Sequence, residues 1–190
     1  MSKIKKIKMT LKKNLLLQYK SQQDIEIYFF DESRFGTHSK IGHGWFNKGE
    51  RPEIKVKLGF ENFYVYTAAH ATNGSEFSLI MPKLNTHCMN VFLDQFSKQT
   101  KKNTLIVMDQ AAWHKSKNLI LPDNIKIMLL PPYSPELNTV ERLWLYMKTK
   151  LIKNKVYDSL EQLHNAVSSF LINLNTRTVK NICSANYLVS

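Results

Sequence analysis

The chain has 190 residues, 43% hydrophobic and 22% charged, which fits one folded domain with at most a short appendage and excludes a disordered chain. Cys88 and Cys183 form no CxxC pair, as suits a reducing compartment, and no apolar run approaches the ~20 residues of a membrane span, so a cytoplasmic protein with no membrane partner is expected. Its 27 Lys+Arg against 15 Asp+Glu give a net charge of +12, which favours a polyanionic partner, nucleic acid first.

Seven lysines and no acid fall within residues 1–20. Residues 1–24 therefore read as a basic arm that tracks phosphates, with a merely solvated helix or tail as the plain alternative. Lysine outnumbers arginine 23 to 4; because lysine and asparagine have A-rich codons, base composition accounts for part of the excess. Residues 25–190 read as one continuous domain.

Asp24 to Phe30 alternates Ile25, Ile27 and Phe29 and predicts a strand ending at Asp31. Residues 33–60 read as loop and short strand around Trp45. Phe63–Ala69 and Phe77–Met81 flank the turn Thr72-Asn73-Gly74-Ser75 and predict a hairpin. Met89, Phe92, Leu93 and Phe96 recur at helical spacing within 85–99. Thr104–Met108 is a short buried strand ending at Asp109, and Ile125–Leu130 is another, stopped by Pro131-Pro132. From Asn138, Val140, Leu143, Trp144, Met147 and Leu151 mark a helix face, and a last helix is expected over 159–174. The order gives an α/β fold, a mixed sheet with helices on its faces.

Two acids, Asp31 and Asp109, each follow a hydrophobic strand, and sites in α/β sheets form beyond the carboxyl ends of strands. Each alone fits an ordinary strand cap; the pair points to one edge. Glu141 is the third candidate. Its local pattern also fits a capping box, with Asn138 as N-cap and Glu141 at the third helical position. Three converging carboxylates would repel one another unless cations lay between them. Oxygen ligands select a hard ion, Mg²⁺ or Mn²⁺. Two such ions about 4 Å apart can activate a water or 3′-hydroxyl in phosphoryl transfer.

The segments Asp31-Glu32-Ser33-Arg34-Phe35-Gly36, Asp109-Gln110-Ala111-Ala112-Trp113-His114-Lys115-Ser116 and Pro131-Pro132-Tyr133-Ser134-Pro135-Glu136-Leu137-Asn138 with Glu141-Arg142-Leu143-Trp144 resemble the catalytic domain of IS630-type transposases of the Tc1/mariner superfamily. The resemblance covers roughly residues 25–185. It implies an RNase H-like fold with a mixed five-stranded sheet, its first and fourth strands adjacent. It also implies a DDE triad of Asp31, Asp109 and Glu141 holding Mg²⁺ or Mn²⁺, two ions in all, and metal-dependent DNA cleavage and strand transfer. Partners would be double-stranded DNA at element ends and target, a second copy of the chain as a homodimer, and a separate helix-turn-helix polypeptide. The location would be a bacterial cytoplasm, at the nucleoid.

Two departures accompany the resemblance. The 31 residues between Asp109 and Glu141 are a few fewer than the superfamily spacing, and the residues before the first strand are too few for a helix-turn-helix module. The expectation is the catalytic half of a split or truncated transposase. A catalytically silent DNA-binding remnant and an RNase H-like nuclease without strand joining are the competing readings. Arg34, His114, Lys115, Lys117 and Arg142 are the candidate DNA contacts, His114 alternatively being structural. Glu32, next to Asp31 on a strand, points to the opposite face and is not expected to be a ligand.

Overall fold

The computed structural model describes residues 25–37 and 61–185; the basic arm and Trp45 lie outside them. Five strands, β1 (Glu26–Gly36), β2 (Asn62–His70), β3 (Glu76–Met81), β4 (Thr104–Met108) and β5 (Ile125–Leu129), form one sheet in the order β3-β2-β1-β4-β5. β1, β2 and β3 pair antiparallel; β4 runs parallel to both β1 and β5. The helices are α1 (Thr86–Gln99), α2 (Val140–Leu151), α3 (Leu160–Ile172) and α4 (Thr176–Cys183), with short 3-10 turns at Ala112–Lys115 and Pro135–Leu137. The mixed five-stranded sheet expected from the element order is present, with β1 beside β4.

Strand alternation divides the core in two. Phe29, Phe35, Leu105 and Val107 face Leu143, Trp144 and Met147 of α2 and Leu163 and Val167 of α3. Phe30, Tyr66, Ile106 and Met108 face Met89, Phe92, Leu93 and Phe96 of α1. β4 is buried along its whole length because helices cover both of its faces, which explains its unbroken apolar run.

β1 does not stop at Asp31. It continues to Gly36, pairing with β2 through Arg34↔Tyr64 and Gly36↔Asn62. The two-residue period persists there: Ser33 and Phe35 are buried while Arg34 is exposed. Polar side chains hid this extension from a hydrophobicity reading. The helix expected over 159–174 is present as α3, but it is not the last: a separate α4 follows it. The Asn175 side chain accepts from the Thr178 amide to start α4, and Val179 and Cys183 are its buried residues.

Asn85 caps α1 through the Cys88 amide, and Ser159 caps α3 through the Gln162 amide. Gly74, in the β2–β3 turn, has φ of +84°, and a Cβ there would overlap the Thr176 carbonyl and Lys180 backbone. The turn can support the start of α4 only with a glycine at this position.

Candidate active site

Sheet register brings the first two acids level. The parallel β1–β4 ladder runs from Glu26↔Thr104 to Phe29↔Val107. Two residues further along both chains, Asp31 stands beside Asp109, with the strand parity of Phe29 and Val107 and therefore on the α2 side. β4 ends at Met108, so Asp109 emerges past the ladder. Asp31 emerges from the middle of a longer strand held there by β2.

The third acid is delivered by α2, whose first turn contains Glu141. Asn138 sets the entry of this helix. Its side-chain amide donates to the Phe30 carbonyl on β1 (2.8 Å), and its Oδ1 accepts from the Val140 amide (3.2 Å). Asn138 therefore braces the helix entry from the position before the N-cap, which is Thr139 with no side-chain capping bond, and the expected capping box of Asn138 and Glu141 is not formed. The Asn138 amide bonds the Pro135 carbonyl instead, and Glu141 is exposed. Asp31, Asp109 and Glu141 line one cleft of about 350 Å³ together with Gln110, Asn138 and the Leu130–Pro135 segment. Two bonds pin that segment to β4 and its end: the Leu130 amide donates to the Met108 carbonyl, and the Gln110 side chain donates to the Leu130 carbonyl. At the cleft rim Tyr133 is fully exposed and has φ of +56°, a conformation that non-glycine residues adopt at an energetic cost.

The electrostatics are those of crowded acids. Burial first, then the charges of Glu141 and Glu32, push the Asp31 carboxyl up to about 8, while the Trp144 indole, donating to its Oδ2 at 2.8 Å, pulls the other way. The donor set contains only carboxylate oxygens, the kind that suits a hard divalent ion. Among the described residues no group of three His, Cys, Asp or Glu stands close enough to surround one ion. Asp31 is engaged with Trp144. Asp109 Oδ1 accepts from the Ala111 amide (3.0 Å) and faces His114 Nδ1 (2.9 Å).

His114 is not a surface group. It is 4% exposed and lies between two carboxylates, its Nε2 being 2.8 Å from Glu32 Oε1. Burial alone would push the imidazole down, but its bonds to Asp109 and Glu32 outweigh this and hold it up at about 9. Both ring nitrogens are thus engaged by acids, one buried and one at the cleft, an arrangement in keeping with the structural alternative for His114. Arg34, Lys117 and Arg142 are exposed, Arg142 also donating to the Ser184 carbonyl at 2.9 Å; Lys115 lies in the 3-10 turn after Asp109.

Three contributors escaped the sequence reading. Glu32 does face away from Asp31, but it accepts from both His114 and Trp113 Nε1 (2.9 Å). Trp144 reads as core, yet its indole nitrogen touches Asp31, and Asn138 reads as a cap, yet it also ties α2 to β1. A signal for Glu32 existed: it shares a strand face with buried Phe30, and an acid on such a face needs a partner.

A family model described as DDE superfamily endonuclease matches residues 26–164. The chain belongs to this family. A Sinorhizobium fredii protein, y4pE/y4sA, is 31% identical over 102 residues, 53% of this chain and 76% of that one. The 39 kDa protein of insertion element IS630 from Shigella sonnei is 26% identical over 152 residues, 76% of this chain but 44% of that protein. The chain thus spans less than half the length of that relative. The crystal structure of the catalytic domain of Mos1 mariner transposase superposes with a TM-score of 0.60 at 15% identity, covering 99% of this chain and 90% of that one. At that identity the likeness is one of fold, and the fold is RNase H-like. Among the described residues no helix is long and apolar enough to cross a membrane.

Proposed function

We propose that this DDE-family chain is the catalytic domain of an IS630-type transposase, performing metal-dependent cleavage and strand transfer on double-stranded DNA. The observation that carries the reading is the delivery of Asp31, Asp109 and Glu141 into one cleft from three separate elements. Asp31, Asp109 and Glu141 would hold Mg²⁺ or Mn²⁺, two ions in all, and a cation there would offset both the burial and the neighbouring acid charges that raise Asp31. Bound there, the ions would activate a water or 3′-hydroxyl and stabilise the leaving oxygen. The chain's own residues do the placing. Trp144 orients the Asp31 carboxylate, Asn138 locks the Glu141 helix against β1, and the Pro131–Pro135 segment walls the cleft. Exposed Arg34, Lys117 and Arg142, with Lys115, are the proposed phosphate contacts, supported by the +12 charge.

The test is a labelled duplex incubated with the protein and Mg²⁺, with and without a pre-nicked end. Cleavage together with joined product supports the transposase reading. Cleavage without joining favours the nuclease alternative, and binding without either favours a silent remnant.

A further inference from the structure

The cleft acids are backed by a buried assembly on the far side of the sheet. Glu32 follows Asp31 on β1 but points the other way, and its side chain is 4% exposed. Its Oε1 receives Trp113 Nε1 and His114 Nε2 at 2.9 and 2.8 Å. His114, its side chain 1% exposed, reaches on through Nδ1 to Asp109 Oδ1 at 2.9 Å. Asp109 needs such support: it lies beyond the last ladder pair of β4, and its side chain is 59% exposed. A carboxylate on a loop has several rotamers available, and a buried ring anchored at its far end removes most of them.

We propose that Glu32 and His114 are positioning residues that act as one relay, Glu32 fixing the imidazole and the imidazole fixing the Asp109 carboxylate for metal binding. β1 thereby serves the site from both faces, with Asp31 in the cleft and Glu32 behind it. Both ring nitrogens face carboxylate oxygens, so removing either acid leaves a buried ring nitrogen without that partner. The Ala111 amide on the same Asp109 oxygen (3.0 Å) supplies a second support independent of the relay. Disrupting the relay therefore weakens the site without abolishing it.

The inference rests on the metal-binding role proposed for Asp109, and the experiment separates the two. Mn²⁺ binding is measured by titration calorimetry on the full chain without DNA, for the wild type, Asp109→Asn, Glu32→Gln, His114→Gln and the double variant of the relay. Circular dichroism confirms that each is folded, and glutamine preserves side-chain bulk at both buried positions. The relay predicts Mn²⁺ affinity about tenfold weaker in each single relay variant, as for other groups that orient metal ligands. The double variant should be no weaker than the worse single, because the two groups act in series. Cleavage should show the same split, with a raised Mn²⁺ requirement and a rate largely recovered at saturating metal. Weakened binding in Asp109→Asn with wild-type affinity in both relay variants would overturn the relay and leave the Asp109 role standing. Equal binding by wild type and Asp109→Asn would overturn the Asp109 role, and the relay with it. Fully additive losses would show that Glu32 and His114 act separately.

Discussion

Replacing Asp31 by asparagine should stabilise the metal-free protein, increasingly as the pH rises above about 4. The folded carboxyl titrates at about 8 against an ordinary 3.8. Between these values the folded state keeps a proton that the unfolded state has released, so stability falls as pH rises through the window and the full penalty is present above about 8. At about 1.4 kcal/mol per unit the shift sets a ceiling near 6 kcal/mol. Solvent entering the cleft and side-chain relaxation reduce this to roughly 2 kcal/mol at an effective dielectric well above that of a dry interior. Asparagine removes the charge, and its amide oxygen can still accept from Trp144. Thermal melts without divalent ions should place Asp31→Asn about 5 °C above wild type at pH 8.5, given ~2–4 °C per kcal/mol at this chain length, and within about 1 °C at about pH 3, below the ordinary value. Millimolar Mg²⁺ or Mn²⁺ should raise the wild type at pH 8.5 and leave the variant nearly unmoved. A variant that tracks the wild type at both pH values, or melts lower at pH 8.5, would refute the crowded-acid account.

Asn138→Ala removes the bond to the Phe30 carbonyl and the bond from the Val140 amide, and should cost about 2–3 kcal/mol in urea denaturation. Gly74→Ala forces a side chain into a positive-φ turn against α4 and should cost about 1–3 kcal/mol, read the same way. DNA binding should be strongly salt-dependent and should barely distinguish a terminal repeat from random duplex of equal length. Titrations at several salt concentrations check this, and deletion of residues 1–20 should flatten the salt slope for both duplexes.

Periodicity located the framework because both sheet faces are apolar wherever helices cover them. Thr104–Met108 and the α2 face at Val140, Leu143, Trp144 and Met147 are legible for that reason. The extension of β1 past Asp31 is less legible, since there the strand leaves its parallel neighbour and carries polar residues, Glu32, Ser33 and Arg34, with Phe35 as its one large apolar side chain. α4 was hidden by its size: eight residues with two buried positions give little periodicity to read, and only the Asn175–Thr178 cap announces it. Asp31 and Asp109 were legible from their place after hydrophobic strands, and Glu141 from its place in the segment that carries the family resemblance. Their supports were not, because they depend on long-range contacts: Glu32 meets His114 across 82 residues, and Trp144 meets Asp31 across 113. Local pattern places Trp144 in the core and Glu32 on the face away from Asp31, as found, but gives neither the carboxylate that the indole bonds nor the ring that the glutamate bonds.

If Asp31, Asp109 and Glu141 work as one metal-holding triad on DNA, the charge of each is required for the chemistry. The most direct measurement compares cleavage of a labelled, pre-nicked duplex by wild type, Asp109→Asn and Glu141→Gln at saturating Mn²⁺, with melting curves confirming that each is folded. The account predicts cleavage and joining by the wild type and at least a hundredfold loss in each variant, because each substitution removes a charged metal ligand while preserving the side chain's size. Cleavage at the wild-type rate by a folded Asp109→Asn or Glu141→Gln protein would contradict it.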